Sequence, residues 1–316
     1  MRAARIEAPG RVSIVTVPKP RPETGQVRVR LEGCGVCASN LGPWAGPDWM
    51  EFPTAPGDLG HEGWGRIDAV GEGVAGLRPG QRVATLFQRA YAEFAVGPAD
   101  EIIPLPDSFD EPHFPGEPLG CAMNIFARSD IREGQTVAIV GVGFLGALLV
   151  QLAKSAGARV IALSRRDFAR QVARRSGADA TLSTEDPEAV RRVSDQTQGR
   201  LCDRVIEATG KQQPLDLAAQ IAGVRARLVI AGYHQDAPRS VNMQLWNWRG
   251  LDVINAHERD PAVYLSGVKR AVEATTTGML RPRSLITHVF PLEGLGVALD
   301  MTRDRPDGFI KAVVVP

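Results

Sequence analysis

TVAIVGVGFLGALLVQLAKSAG, residues 136–157, joins a continuous apolar run to a glycine-rich turn and then to a helix-period stretch stopped by Gly157. The turn has the spacing GxGxxG: Gly141, Gly143 and Gly146, with Phe144 and Leu145 between the last two. Such hexamers recur by chance. A strand before and a helix after supply the context in which one binds a dinucleotide. Gly141 then makes the tight turn, Gly143 lets the backbone approach the pyrophosphate, and Gly146 lets helix and strand pack closely. The anion sits at the helix N-terminus, where unpaired N–H groups and the helix dipole favour it.

Downstream the same alternation continues. RVIALS is a second strand, DFARQVARRSG a second helix stopped by Gly177, and ATLS, RVIEATG and RLVIAG are further strands. Continuous apolar runs of this kind suit a parallel sheet covered on both faces. The second strand also bears on the cofactor. NAD sites carry Asp or Glu about 20 residues beyond the glycines, on the ribose 2′-OH. Here the strand ends in Ser164-Arg165-Arg166, with Asp167 one residue further. A hydroxyl and two guanidiniums bind a 2′-phosphate that a carboxylate would repel, so NADP(H) is expected.

Upstream the pattern changes near residue 120. RVSIVTV, QVRVRLEG, GWGRIDAV and AYAEFAV alternate with turns such as GEG, RPGQ and VGPAD, which reads as antiparallel strands in a barrel or sandwich. A chain of 316 residues exceeds what one core normally serves, so two domains are expected. Thirty-seven basic against 36 acidic residues leave no basic surplus for nucleic acid or an anionic membrane. No apolar run approaches the roughly 20 residues that span a bilayer. MRAARIEAPGRVSIVTV alternates like a strand and lacks a signal core, so a cytoplasmic location is expected. In such a compartment the four cysteines suit metal or catalytic use better than bridging.

Residues 33–40 read GCGVCASN and residues 57–65 read GDLGHEGWG. The Cys37 thiolate and the His61 imidazole are favoured zinc ligands, but their spacing of 24 residues fits no zinc finger. Any site must be assembled by the fold. With EPLGCA, DRVIEATG, the tail GEGVAGLRPGQRV and the closing FIKAVVVP, these segments resemble the medium-chain dehydrogenase/reductase family, in its zinc-dependent alcohol and polyol branch. The matching pieces run from the first strands to the C-terminus.

That resemblance implies an α/β protein: a GroES-like, mostly-β catalytic domain (1–120 and 255–316) interrupted by a doubly wound Rossmann domain (121–254). It implies one catalytic Zn2+ held by Cys37, His61 and Glu117, with Cys121 as the alternative third ligand and Glu62 as a supporting or exchanging ligand. Residues 82–103 contain no cysteine, so the family's structural zinc is not expected. Ser39 is expected to carry the substrate proton. Asn40 and Gly42 stand where the family places an acidic or similar residue and a shuttle histidine, which leaves the relay beyond Ser39 open. Ala208, Tyr233, Asn255 and His257 should flank the nicotinamide, and Lys311 should approach the pyrophosphate. His234 and His257 are candidate substrate or relay groups. Trp44, Trp49, Met50, Trp246 and Trp248 are candidates for an aromatic wall. The implied partner is a small secondary alcohol or ketone, with a polyol, sugar or cyclitol favoured, and the implied assembly is a homodimer or homotetramer. Two alternatives stay open: a zinc-free quinone or enone reductase of the same family, and a non-catalytic NADPH-binding sensor.

Overall fold

The runs punctuated by glycine and proline become strands β1 (Arg2–Ala8), β2 (Arg11–Thr16), β3 (Gln26–Gly35), β4 (Gly63–Val70), β5 (Arg82–Thr85), β6 (Phe94–Pro98) and β7 (Ile102–Pro104). A short helix, α1 (Leu41–Ala45), stands between β3 and β4, and α2 (Gly116–Ser129) ends the run. The computed structural model describes all 316 residues and divides them into two units, Met1–Gly120 with Pro282–Pro316, and Cys121–Arg281.

Within the first unit β3 is the central strand. Val27, Val29 and Leu31 alternate inward while Arg28, Arg30 and Glu32 face out, which is the two-residue period of a half-buried strand. It pairs antiparallel with β4 and β6 and with the last strand, β15 (Ala312–Val315). Strand β14 (His288–Pro291) lies parallel to β15, and the seven-stranded sheet runs β14-β15-β3-β4-β5-β7 with β6 added on β3. Its inner face meets Phe87, Tyr91 and the helix Leu295–Asp304 through Leu295 and Leu299, all fully buried or nearly so. Each such side chain contributes about 1.5–3 kcal/mol.

The second unit is a six-stranded parallel sheet built from β8 (Thr136–Val140), β9 (Arg159–Leu163), β10 (Ala180–Leu182), β11 (Cys202–Glu207), β12 (Ala222–Ile230) and β13 (Asp252–Asn255). The spatial order β10-β9-β8-β11-β12-β13 reverses direction at β8, the topology of a doubly wound dinucleotide fold. Helices α3 (Phe144–Ser155), α4 (Asp167–Arg175), α5 (Ala189–Gln196), α6 (Gln212–Ile221), α7 (Met243–Arg249) and α8 (Pro261–Thr276) follow its strands. Val137–Val140 and Ala147–Val150 have no exposed surface, which explains why both read as continuous apolar runs.

Two features depart from expectation. EPLGCA lies on a 14-residue helix, α2, which was not foreseen. The second unit also extends to Arg281 and not to residue 254. The cause is α8, whose Gly267 backs onto the Asn124 side chain and whose Arg270 donates to Asn124 Oδ1 at 2.7 Å. Arg281 N donates to Gln151 Oε1 at 2.8 Å and fastens the exit of the same segment.

Candidate functional site

The strand register lines up one row of residues across the parallel sheet: Leu163, Val140, Glu207, Ile230 and Asn255. Every residue expected at the dinucleotide, Lys311 excepted, comes directly after or within a few positions of that row. Gly141 has φ +104°, and a Cβ there would lie 2.4 Å from Thr209 Cγ2. A Cβ on Gly146 would lie 2.0 Å from the Gly141 carbonyl oxygen, so only glycine lets α3 start against β8. Gly143 differs: a Cβ would meet nothing within 4 Å. It is the N-cap of α3 and offers no side chain to the first turn. Two glycines are filled by the protein and the third faces open space, the arrangement a pyrophosphate needs.

Ser164 is buried at the end of β9, Arg165 is exposed and Arg166 half-buried. Arg170, whose role the sequence did not suggest, braces this turn by donating to the Ser164 and Arg165 carbonyls at 2.8 and 2.7 Å. It also pairs with Asp167. Ala208 N bonds to Val140 O at 2.8 Å beside the glycine turn. Tyr233 and His257, from the ends of β12 and β13, stack with ring centroids 6.2 Å apart and 24° between planes.

In the first unit, Cys37, His61 and Glu62 bring ligand atoms within 4.8 Å of one another. Cys37 precedes a single turn of 3-10 helix after β3, and His61 and Glu62 precede β4. Leu59, at φ +69°, turns its carbonyl onto His61 Nδ1 at 2.9 Å. With Nδ1–H donating there, Nε2 is the nitrogen left for a metal, which on binding would take the place of the proton there. Asn40 Nδ2 donates to the same carbonyl at 3.1 Å and to Tyr91 Oη at 2.8 Å. Tyr91 Oη donates in turn to Gly35 O at 3.2 Å. Ser39 Oγ reaches Asn40 Oδ1 at 3.5 Å.

Negative charge accumulates in this cluster. Burial alone would lower the His61 pKa, but its hydrogen bond to Cys37 and the charges of Cys37, Glu117 and Glu62 lift it to about 10. Glu117, in the first turn of α2, therefore acts on His61 electrostatically although it is not one of the three clustered residues. Cys121, one turn further, contacts Tyr264 Oη at 3.7 Å. Thiolate, imidazole and carboxylate are a zinc donor set. Glu62 Oε2 adds a buried acceptor that meets a cation's charge without an aligned hydrogen bond. The residues fit the metal.

That counter-charge is Lys311. Its Nζ lies 2.8 and 2.5 Å from the Glu62 oxygens and donates to Val36 O at 2.9 Å, with the residue only 5% exposed. An ammonium so enclosed is held by the Glu62 carboxylate. The pairing follows from β15 running antiparallel to the end of β3, across from Cys34 and Gly35. Gly35 makes room for it, since a Cβ there would lie 1.8 Å from Glu62 Oε2.

Other candidates separate by burial. Trp44 belongs to the core and donates its indole N–H to Asp300 at 2.9 Å, so it is no substrate wall. Trp246 packs on the core of the second unit, whereas Trp49 and Trp248 are 74% and 88% exposed. Cys34 and Cys202 are buried thiols whose pKa values burial pushes up, Cys202 to about 12. His234 has both ring nitrogens engaged: Nε2 on Glu207 Oε2 at 3.0 Å and Nδ1 accepting from Arg239 Nε at 2.9 Å. It has nothing to offer a substrate. No helix is long and apolar enough to cross a membrane.

Comparison with known proteins agrees with this anatomy. The alcohol dehydrogenase GroES-like domain matches residues 23–107 and the zinc-binding dehydrogenase domain matches residues 145–266. An alcohol dehydrogenase of Geobacillus stearothermophilus is 31% identical over 63% of this chain and 68% of its own length. The starvation-sensing protein RspB of Escherichia coli K12 is 27% identical over 95% of both chains. Among solved structures, a candidate zinc-binding dehydrogenase from Sinorhizobium meliloti 1021 bound to NADP superposes with a TM-score of 0.86 at 27% identity, covering 100% of this chain and 99% of the other.

Proposed function

The chain belongs to the zinc-type medium-chain alcohol dehydrogenase family, and within it we propose a zinc-dependent, NADP(H)-linked oxidoreductase of secondary alcohols or ketones, with a polyol, sugar or cyclitol as substrate. The observation that carries this reading is the convergence of Cys37, His61 and Glu62 ligand atoms within 4.8 Å. Cys37 and His61 would hold the metal with a carboxylate, Glu117 being the family's third ligand and Glu62 the exchanging one.

When bound, zinc supplies Lewis acidity, lowering the pKa of a coordinated oxygen from the 15.7 of bulk water to about 7. NADP supplies the hydride acceptor. The protein positions these groups and handles the proton. Leu59 O fixes the His61 tautomer, and Asn40 fixes that carbonyl. The half-buried Ser39 hydroxyl, oriented by Asn40 Oδ1, would accept the alcohol's proton as it releases its own to solvent, so that it relays the proton and retains no second one. Asn40 and Tyr91 end on the Gly35 carbonyl, so they orient and do not conduct the proton onward.

The preference for NADP(H) is supported by the buried Ser164 hydroxyl, by Arg165 and Arg166 beside it, and by the pairing of Asp167 with Arg170. The NADP-bound relative of known structure adds to it. Turnover on a panel of polyols, simple alcohols, ketones and enones, with both nicotinamides, tests the proposal. Oxidation of a polyol with NADP is expected. Zinc-independent reduction of enones would replace this reading with that of a zinc-free reductase. Ser164→Asp should swing the NADP-to-NAD ratio of kcat/KM by about tenfold or more towards NAD, the equivalent of roughly 1.4 kcal/mol. An unchanged ratio would place the arginines in solvent.

A further inference from the structure

Glu207 ends the central strand β11 with no exposed surface, the one carboxyl side chain in a row that otherwise reads Leu163, Val140, Ile230 and Asn255. Its Oε1 accepts from the N–H groups of Thr209 and Gly210 at 2.6 and 3.0 Å and from the Thr209 hydroxyl. Its backbone carbonyl accepts from Ala231 and Gly232, both at 2.8 Å. The second carboxylate oxygen takes His234 Nε2. Arg239, an obligate donor, holds His234 Nδ1 and also reaches Gly210 O at 2.7 Å. Because Arg239 must donate, Nδ1 is the acceptor and Nε2 bears the proton directed at Glu207. Carboxylate, neutral imidazole and guanidinium form one fixed chain, with Asp236 pairing both Arg239 and Lys211 at its outer end.

A turn could be closed with less. Two backbone amides and a hydroxyl need only an acceptor such as Asp or Ser. The added reach to His234 and Arg239 ties the loop after β11 to the loop after β12. The two loops already touch backbone to backbone: a Cβ on Gly232 would lie 2.1 Å from Gly210 N, and one on Gly210 would lie 2.4 Å from Tyr233 O. Any shift of Gly210 therefore moves Tyr233, and Tyr233 stacks on His257.

We propose that Glu207, His234 and Arg239 are positioning residues that lock these two loops at the nicotinamide half of the dinucleotide. The proposal rests on the reading that Ala208, Tyr233 and His257 flank the nicotinamide. They act through Gly210 and Tyr233 and do not touch the cofactor.

The test compares two ligand pairs by calorimetry: NADPH with 2′-phospho-ADP-ribose, and NADH with ADP-ribose. The second member of each pair lacks the nicotinamide. In Glu207→Gln and His234→Ala, the intact dinucleotide should bind about tenfold more weakly, as expected when a buried partner is lost, while the fragment keeps wild-type affinity within about twofold. Arg239→Gln, at the outer end of the chain, should show the same split at about threefold and serves if the inner variants do not fold. Equal weakening of dinucleotide and fragment, or unchanged dinucleotide binding, would overturn the proposal. A wild-type protein that binds neither dinucleotide would instead remove the nicotinamide reading beneath it.

Discussion

The metal cluster and the dinucleotide cradle are built on opposite principles. In the cradle, Gly141, Gly143 and Gly146 lie within six residues, and the geometry is dictated by where a Cβ would collide. In the metal cluster, Cys37, His61 and Glu62 come from the ends of two strands, and the buried cation that balances them, Lys311, is 249 residues from its partner. The cradle is backbone and space. The cluster is charge held by long-range pairing. Contiguous motifs are therefore readable from sequence, and assembled electrostatics are not.

The first way to break this contrast is at Lys311. Lys311→Met strands the buried Glu62 carboxylate and should cost about 3–5 kcal/mol in denaturant unfolding, the expected cost of unpairing a buried ion. The affinity for 2′-phospho-ADP-ribose should not change. Loss of that affinity with little loss of stability would place Lys311 at the pyrophosphate.

Within the cradle the glycines should divide. Gly146→Ala forces a methyl against the Gly141 carbonyl and should destabilise by about 1–3 kcal/mol, read as a lower midpoint of thermal unfolding. Gly143→Ala meets no protein atom, so it should leave that midpoint unchanged and weaken dinucleotide binding alone. Equal behaviour of the two variants would mean that Gly143 does not face the cofactor.

The smallest effect concerns an exposed charge. Burial alone would raise the Asp179 pKa, but Lys154 Nζ at 2.7 Å and the Val160 N–H at 2.7 Å lower it. A depressed carboxylate pKa stabilises the fold fully above its unfolded value of about 3.9, and that stability is lost as pH falls through the folded value. The side chain is 37% exposed, so after solvent screening Asp179→Asn should cost about 1 kcal/mol or less at pH 7. The difference from wild type should shrink as pH falls below the unfolded value and vanish once pH has fallen through the depressed folded one. A gap that persisted there would assign the effect to packing.

What could be read in advance follows the same division. The parallel sheet and the cradle were legible because apolar runs and glycines act within a few residues of themselves; the strand order about β8 was not. Helix α2 was not, because Pro118, two residues into it, and Gly120 obscure its period. The 3-10 turn after Cys37 and the left-handed Leu59 that aims a carbonyl at His61 leave no signature in their own residues. Trp44 looked like a substrate wall because sequence alone cannot tell an indole that packs and finds Asp300 from one that faces a ligand. Glu207 did leave a signal, a lone carboxylate closing the apolar strand VIE. Its meaning depended on His234 and Arg239, 27 and 32 residues later in the chain.

Metal content tests the central claim most directly. Elemental analysis of purified protein should find about one zinc per chain, lost in Cys37→Ser while the fold is kept. Wild-type protein that took up no zinc when supplied with it, or Cys37→Ser protein that kept its full content, would contradict the assignment of Cys37, His61 and their carboxylate partners as the metal centre.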